Sequence, residues 1–443
     1  MNQDLFEKTP IPKAYLKLSL PILASSVLML VYNMVDMLFV SKTGDTSLIA
    51  GVSLCGPIFT ALIAFGDMFG LGGSSVISRL FGQGKTDDAR RLSVFSFLGS
   101  FLFGLFITIL LLLLKTPLLS LLGVTEETQS HASSYYAWIA FGAPFIIFSL
   151  TPTNLLRTEG MANEAMVGSV LGSVVNMILD PVFIFSLKMG AGGAAIATVL
   201  GNICSDIWYI YIITHKSRLL SLNPKGFHIS AIELKSIFNI GIPSSITNIM
   251  QSIGLILLNR FLLPYGNDKI ATMGIVSRIT MIVIMVMVSF SFGGQPLYGY
   301  LYGAGNHTRM RKTLRFAYIL NASIAIVLTI LLSLLAPHMI RIFMDDPAII
   351  ETGTPMLRIH LFGMLFTSFI MVTTCVFQSC GKASGALALS ASRQGLIYAP
   401  VLLLLSRLFE YTGVLFSQPV SDLATCALAF LLYHRLLASE IQL

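Results

Sequence analysis

The stretch GLGGSSVISRLFGQGKTDDARR, residues 70–91, recurs in altered form as SFGGQPLYGYLYGAGNHTRMRK, residues 291–312. The paired glycines, the later Gly-x-Gly step and the basic run coincide when the second stretch is aligned 221 positions after the first. At the same offset, LLRTEG ending at Gly160 matches VFQSCG ending at Gly381. A repeat at an offset near 221 predicts that the chain contains two copies of one structural unit.

The composition predicts a membrane protein. Hydrophobic residues make up 55% of the chain and charged residues 11%, whereas a soluble domain has about 25% charged residues. A membrane-spanning helix needs about 20 mostly apolar residues. We find twelve such stretches, near residues 16–40, 48–72, 92–114, 133–156, 163–187, 191–214, 237–264, 271–302, 314–336, 357–380, 385–409 and 413–437. We therefore expect an all-α polytopic membrane protein with twelve transmembrane helices.

The duplication divides these helices into two parallel six-helix repeats. Because six is an even number, both copies enter the membrane in the same sense, and an axis along the membrane normal relates them. We expect an N-lobe over residues 1–222 with helices 1–6, and a C-lobe over residues 223–443 with helices 7–12. The polar and basic stretch 215–236 is the expected linker. Repeats of this kind hold a substrate at their interface.

The positive charge is unevenly distributed across the predicted membrane. The net charge is +7, and most Lys and Arg residues fall on one side of the helix count, for example in the runs around Arg90 and Arg311. This asymmetry follows the positive-inside rule. We expect a bacterial cytoplasmic (inner) membrane protein with both termini in the cytoplasm, and a charge that serves membrane topology rather than nucleic-acid binding. No cleavable signal peptide is predicted.

Two aspartates stand inside otherwise apolar helices, Asp36 in LMLVYNMVDMLFV and Asp180 in GSVVNMILDPVFIF. A carboxylate at membrane depth is costly unless it is paired, protonated or bound to a cation. The helical rise places Asp36 roughly 6 Å and Asp180 about 10 Å below the same membrane surface, with Thr198 at about that level. Asn176 lies one turn from Asp180 on the same helix face. This oxygen-rich group suits a hard cation such as Na+ or a shared proton.

The residues around these aspartates are candidates for a substrate pocket. Tyr32 and Asn33 flank Asp36, and Met29 and Met177 supply the soft, adaptable surface that suits varied ligands. Pro21 removes a backbone hydrogen bond and is expected to kink the first helix. The alternative is that the polar side chains only join helices by hydrogen bonds worth about 1 kcal/mol each.

Other charges within the predicted spans leave two readings open. Asp67 and Asp206 either line the cytoplasmic half of the first lobe or pair structurally. Arg278 and Arg393 either neutralise helix carbonyls or face a cavity of the second lobe. When Pro21 is aligned with its counterpart Pro243, Leu258 aligns with Asp36 in the repeat, so we expect the chemistry of the aspartates to be confined to the N-lobe.

The motifs together resemble the multidrug and toxic compound extrusion (MATE) family over nearly the whole chain. They are Pro21 with VYNMVD ending at Asp36, the GLGGSSVISRLFGQG stretch, LLRTEG, and NMILDPVFIF with GAGGAAIAT ending at Thr198. The resemblance implies a V-shaped, two-lobe antiporter that exchanges Na+ or H+ for organic, often cationic, compounds. It looks closest to the DinF-like branch. That branch implies a cation-coupling site formed by Asp36, Asn176, Asp180 and Thr198, with Asn154 as a further polar member.

One departure from the family bears on the coupling scheme. The NorM-like branch carries further acids in helices 7 and 10, where this chain has Gln251 and Thr373 or Thr374. We therefore expect no cation site in the C-lobe. The function that follows is cation-coupled multidrug efflux by alternating access, with a flippase for lipid-linked oligosaccharide or another lipid of the same superfamily as the alternative.

The expected partners follow from this function. They are small organic compounds and the lipid bilayer, and we expect a monomer that is not an enzyme. The coupling ion, Na+ or H+, replaces any cofactor. ATP-driven transport by this chain alone is not expected, because a nucleotide-binding motif is not found in the sequence.

Overall fold

The computed structural model describes residues 3–224, 230–438 and 440–441. Within these residues the regular secondary structure is helical, without a β-strand. The first half of the chain contains α1 Gln3–Glu7, α2 Ile11–Lys42, α3 Thr46–Leu54, α4 Gly56–Gly82, α5 Thr86–Leu113, α6 Lys115–Leu121, α7 Glu126–Thr158, α8 Ala162–Pro181 and α9 Gly190–His215. A π-helical segment, Val182–Ser186, follows α8 directly.

The second half repeats this pattern of long helices joined by tight turns. It contains α10 Ala231–Leu262, α11 Asn267–Gly293, α12 Gln295–Gly303, α13 His307–Leu334, α14 Ala336–Phe343, α15 Pro347–Ser379, α16 Ala383–Ala391 and α17 Tyr398–Tyr433. A 3-10 turn, Leu263–Tyr265, follows α10. Two further π-helical segments, Ser392–Leu396 and His434–Ala438, flank α17.

The predicted spans can be located on these helices. Ten stretches of the described chain are long and apolar enough to cross a membrane. One of them, Ala383–Ala438, contains two predicted spans, which separate at Glu410, where φ is 50° and ψ is −129°. The remaining predicted span, 237–264, falls on α10. The expected all-α polytopic fold is confirmed.

The sequence repeat has a counterpart in the backbone. Gly84 and its equivalent Gly305 have φ values of +73° and +65°, and Gly160 and Gly381 have +85° and +77°. Each of the four follows the end of a long or short helix, where the left-handed conformation favours glycine. The helices α7 and α15 occupy equivalent positions in the two halves, and each packs against several helices of its own half. The duplication seen in the sequence is therefore also present in the backbone conformation at the ends of equivalent helices.

Residue contacts divide the chain into two compact units, and the division differs from the predicted lobes. Unit 1 comprises Met1–Lys8 and Ala24–Ser245, and unit 2 comprises Thr9–Leu23 and Ile246–Leu443, within the described residues. The predicted boundary at residue 222 would have placed Thr9–Leu23 in the first lobe and the start of α10 in the second. Part of the expected linker, residues 225–229, lies outside the described residues.

The physical reason for this difference is that α2 and α10 are continuous helices whose first parts pack in the other unit. The Tyr15 hydroxyl donates to the Phe290 carbonyl at 2.8 Å and is 2.9 Å from the Tyr298 hydroxyl, all within unit 2. In unit 1, the Ser245 hydroxyl donates to the Ala64 carbonyl at 2.5 Å. These long-range contacts assign the first part of each helix to its unit.

Candidate functional site

The two aspartates lie near the same end of unit 1, which we call the Asp45 end. Asp36 stands six residues before Lys42, the last residue of α2, and Asp180 is the penultimate residue of α8. Asp180 is fully buried and Asp36 is half-buried. Pro181 has no N–H, so the Met177 carbonyl lacks its usual helical partner, and the chain continues as a π-helical segment. Such segments are frequent at functional sites.

The side chains of Asn176 and Thr198 are hydrogen-bonded to each other beside Asp180. The Asn176 Nδ2 atom donates to Thr198 Oγ1 at 3.1 Å, and Thr198 Oγ1 donates to the Ala194 carbonyl at 3.0 Å. Their side chains are buried, with exposed fractions of 2% and 7%. The Thr198 hydroxyl uses its one O–H in these bonds and the Asn176 amide uses one of its two N–H groups, so the Oδ1 atom of Asn176 remains available as an acceptor.

Several oxygen atoms of this group have no hydrogen-bond partner among the described residues. They are Oδ1 of Asp36, Oδ1 of Asn176, and both carboxylate oxygens of Asp180. A buried polar atom normally has a partner, and an unpartnered one needs an explanation. Acceptor oxygens with nothing to accept from are what a proton or a hard cation would satisfy.

Two tyrosines complete the surroundings of the carboxylates. Asp36 and Asp180 lie close enough to interact with each other, and Tyr32 interacts with both and with Thr198. Tyr135 of α7 also interacts with both aspartates and with Tyr32. In the described part of the chain, no Lys or Arg is among the groups that interact with either aspartate. The pair therefore has no protein cation to balance two negative charges.

The other predicted pocket residues are less closely associated with this group. Met29 is 47% exposed and Asn33 is also exposed, on the part of α2 that precedes Asp36. Met177 is half-buried, one residue after Asn176. Of the four predicted pocket residues, the structure brings only Tyr32 into interaction with the carboxylates.

Asn154 is not brought to the carboxylates. It lies four residues before Thr158, at the end of α7 that turns at Gly160 into α8, whereas Asp180 lies at the far end of α8. The helical rise separates the two by roughly 20 Å along the axes. Asn154 Nδ2 donates to the Leu150 carbonyl at 2.9 Å, and Asn154 Oδ1 accepts from Arg157 at 3.4 Å.

An apolar cap covers the carboxylate group on the side of the Asp45 end. We use this name for the buried cluster Val40, Leu48, Ile184, Ala191 and Ala194. Val40 and Ile184 each stand four residues beyond an aspartate, and Ala194 stands four residues before Thr198 on a helix that begins at this end. Four residues correspond to about 6 Å of helix. The cap thus separates the carboxylates from this end of unit 1 by about one helical turn.

Pro21 lies within α2, which continues through it as a helix. The proline is buried, and two residues later α2 passes from unit 2 into unit 1. Pro243 occupies the same place in α10, two residues before that helix passes from unit 1 into unit 2. The proline that is predicted to soften the first helix therefore lies close to the point at which this helix passes from one unit into the other.

The charges of the second half are arranged differently. Arg278 is exposed. Arg393 is buried and its Nε atom pairs with Asp422 Oδ1 at 3.2 Å. The ion pair corresponds to neither of the two roles expected for Arg393, which were to neutralise helix carbonyls or to face a cavity. Asp422 was not identified as a candidate by the sequence analysis. Its position as an acid within the otherwise apolar stretch 413–437 could have identified it.

The residues of the first site fit a monovalent cation better than a transition metal. Among the described residues there is no group of three or more His, Cys, Asp or Glu side chains that could hold a metal ion. The donors near Asp36 and Asp180 are oxygens only, from carboxylate, amide and hydroxyl groups. Oxygen donors suit hard ions, and two adjacent carboxylates also suit a shared proton.

Comparison with known proteins agrees with the duplicated fold. The family model described as MatE matches residues 21–182 and again residues 243–404. The multidrug export protein MepA of Staphylococcus haemolyticus (strain JCSC1435) is 30% identical over 434 residues, covering 97% of this chain and 95% of that protein.

Two solved structures share the fold over 99% of this chain and 98% of theirs, each with 27% identity and a TM-score of 0.92. One is described as the outward-facing conformation of a multidrug resistance MATE family transporter of the MOP superfamily. The other is a MOP superfamily transporter from Pyrococcus furiosus, described as having a binding pocket of reverse polarity that suggests a different function.

Proposed function

This chain belongs to the MatE family of membrane transporters, and we propose on that premise that it exports organic, often cationic, compounds in exchange for Na+ or H+. The observation that carries the proposal is the pair Asp36 and Asp180, whose buried oxygens have no partner among the described residues. The relatives named for multidrug export support the substrate class. The chain is a transporter rather than an enzyme.

The proposed coupling site consists of Asp36, Asp180, Asn176 and Thr198. The two carboxylates supply the negative charge, and the amide and hydroxyl oxygens complete the surroundings of the ion. Two adjacent carboxylates without a counter-ion cannot both ionise at low cost, so binding one cation or one proton stabilises the pair. Asn154 is left out of this proposal because it lies at the other end of α7.

The membrane orientation is part of the same proposal. Arg79, Lys85, Arg90 and Arg91 lie at the opposite end of unit 1 from Asp45. By the positive-inside rule that end faces the cytoplasm. The carboxylates then lie in the outer half of the bacterial cytoplasmic membrane, and both termini are cytoplasmic.

The second half of the chain also supports the assignment to a DinF-like branch. Gln251 is exposed, and the Thr373 hydroxyl, which donates to the Phe369 carbonyl at 2.8 Å, is 3.0 Å from the Tyr318 hydroxyl. The one buried aspartate described in unit 2, Asp422, is paired with Arg393. A coupling scheme that uses unit 1 alone is therefore favoured.

The proposal predicts the effect of removing either charge. Asp36→Asn and Asp180→Asn should each abolish resistance and drug efflux, because the isosteric amide keeps the volume and removes the charge that binds the ion. Efflux is measured in cells and in liposomes with Na+ and pH gradients imposed separately. Asp45→Asn is the matched control, since it makes the same change in a half-buried residue at the same end that lies outside the spans.

The outcomes separate the coupling ion and test the site. Wild-type efflux by either variant at normal expression would contradict the proposed role. If the driving ion is Na+, Asn176→Ala and Thr198→Ala should raise the Na+ concentration for half-maximal transport. An unchanged Na+ dependence would remove both residues from the site.

A further inference from the structure

A polar face runs along α9 from the proposed coupling site into the interior of unit 1. Thr198, Asn202, Asp206 and Tyr209 are spaced by four, four and three residues, which places them on one side of the helix. Thr198 belongs to the proposed site. Asp206 stands eight residues further along, about 12 Å away by the helical rise.

Asp206 is a buried carboxylate without a partner. Its exposed fraction is 4%, and neither of its oxygens has a hydrogen-bond partner among the described residues. An isolated carboxylate in an apolar interior is so costly that the group becomes neutral instead. Asp422 of unit 2 is as deeply buried but accepts from Arg393 at 3.2 Å and from Gln418 at 3.1 Å. The two residues are therefore a natural comparison.

The charged and titratable groups around Asp206 do not neutralise it. On α9 itself, Tyr209 is the titratable group that interacts with it. From α7, Arg157 interacts with Tyr209 and with Asp67 of α4. The charged residues of α8 are Asp180, which belongs to the proposed coupling site, and Glu164, whose main-chain carbonyl accepts from Trp208 at 3.0 Å. The helix α3 and the segment Val182–Ser186, which also pack near α9, carry no titratable residue.

Hydrogen bonds connect the level of Thr198 with the level of Asp206. Asn202 Nδ2 donates to the Thr198 carbonyl at 2.9 Å, and the Ser149 hydroxyl donates to Asn202 Oδ1 at 3.1 Å. The Thr153 hydroxyl reaches the Ser149 carbonyl at 2.7 Å and the Tyr209 hydroxyl at 2.9 Å. The polar groups are thus continuous between the two levels.

We propose that Asp206 is a second proton-binding carboxylate of unit 1, which accepts a proton that has entered by way of the Asp36–Asp180 site. This inference rests on the proposed function. A proton fits better than Na+ here, because the unpartnered oxygens that accompany Asp180 on Asp36 and Asn176 have no counterpart on α9 beside Asp206 in the described part of the chain. In the transfer, an O–H bond of the donor carboxyl breaks, water carries the proton, and an O–H bond forms on the Asp206 carboxylate.

The direct test is labelling of the purified full-length protein with dicyclohexylcarbodiimide, which modifies protonated carboxyl groups in apolar surroundings. Mass spectrometry of the peptide containing Asp206 should show modification at neutral pH that declines as the pH rises. Asp422, equally buried but paired with Arg393, should be modified far less. Labelling of Asp206 that does not exceed that of Asp422 at any pH would overturn the proposal.

Transport measurements distinguish a failure of this inference from a failure of the proposed function. Asp206→Asn should remove drug-driven proton movement in liposomes while leaving equilibrium binding of a fluorescent cationic drug unchanged, and Asp206→Glu should restore part of the movement. If Asp206→Asn moves protons like the wild type while Asp36→Asn does not, the second site is refuted and the coupling site stands. If Asp36→Asn transports normally, the proposed function itself fails.

Discussion

Asp180 and Asp422 show how one residue type serves opposite purposes in the two units. Asp422 is surrounded by Arg393, Gln418 and Thr367, whose polar atoms all lie within 3.3 Å of its oxygens. Removing one partner of such a buried pair typically costs about 3–5 kcal/mol. Asp180 has neither a cation nor a hydrogen bond among the described residues. An acid whose charge is already neutralised by an arginine has no need of an ion, so of these two aspartates only Asp180 is available for coupling.

A residue outside the spans provides a pH-dependent prediction. Asp45 accepts from the Ser47 hydroxyl at 2.6 Å and from the backbone N–H groups of Ser47 and Leu48 at 2.9 and 3.2 Å. The Ser47 hydroxyl, with these N–H groups and nearby His131, holds the pKa of Asp45 below its usual value. A lowered pKa stabilises the cap above the usual value, near pH 4, and the effect is lost as the pH falls through the lowered pKa.

We therefore expect the first turn of α3 to stay ordered at neutral pH and to fray only in strong acid. Asp45→Asn should keep the cap, since an amide oxygen also accepts from backbone N–H groups, but should remove the pH dependence. Asp45→Ala should fray at every pH. Hydrogen exchange of residues 46–50 measures this, and equal protection in all three proteins would contradict it.

The sequence predicted some site residues and not others for a geometrical reason. Asp36, Asp180 and Thr198 lie on three helices that share one end, so counting residues from that end gives their depth. Tyr135 was missed because a tyrosine in an apolar helix usually serves packing, although its position near the start of α7 gives a similar depth. Asn154 was assigned by resemblance alone, and counting from the Gly160 turn would have separated it from the others.

At the scale of elements, α2 and α10 depart most from what hydrophobic patterning can predict. Patterning predicts where a helix lies but not which unit each part of it packs against. Both helices change unit two residues after a proline, at Pro21 and Pro243. A proline leaves the carbonyl four residues earlier, Lys17 or Asn239, without its helical hydrogen bond.

Replacing these prolines should slow transport without unfolding the protein. Pro21→Ala and Pro243→Ala each restore a helical hydrogen bond and stiffen the helix at the change of unit. We expect lower turnover in liposomes with unaltered equilibrium binding of drug. Pro355→Ala, in a helix that stays within unit 2, is the matched control. Turnover reduced equally by the control variant would show that any intramembrane proline has this effect.

At the scale of the whole molecule, the duplicated architecture carries an unduplicated site. The two halves share a succession of long helices and the glycines that follow equivalent helix ends, as the repeat predicted. The proposed ion chemistry is confined to unit 1, because Leu258 stands where the repeat would place a second Asp36. One unit is then expected to bind one net coupling charge per cycle.

This charge count predicts the response to membrane potential. One elementary charge moving through 100 mV gains about 2.3 kcal/mol. If one cation enters as one monovalent drug leaves, no net charge moves, so export of that drug should ignore an imposed potential. Export of a neutral compound should respond to it. Liposomes clamped with valinomycin and K+ gradients measure both, and strong potential dependence for the monovalent drug would require at least two coupling ions.

The apolar cap also determines how well a cell conserves its ion gradient when no drug is present. An exporter that lets ions slip past an unloaded site dissipates that gradient continuously, and a bacterium would then respire faster for the same growth. Val40, 4% exposed and one turn beyond Asp36, stands where such slippage would begin. Val40→Ser should admit water and discharge a gradient in drug-free liposomes, whereas Val40→Ile should hold it as the wild type does. Equal discharge rates for the two variants would place the seal elsewhere, and a leaky variant should reveal itself in cells as a lower growth yield rather than as drug sensitivity.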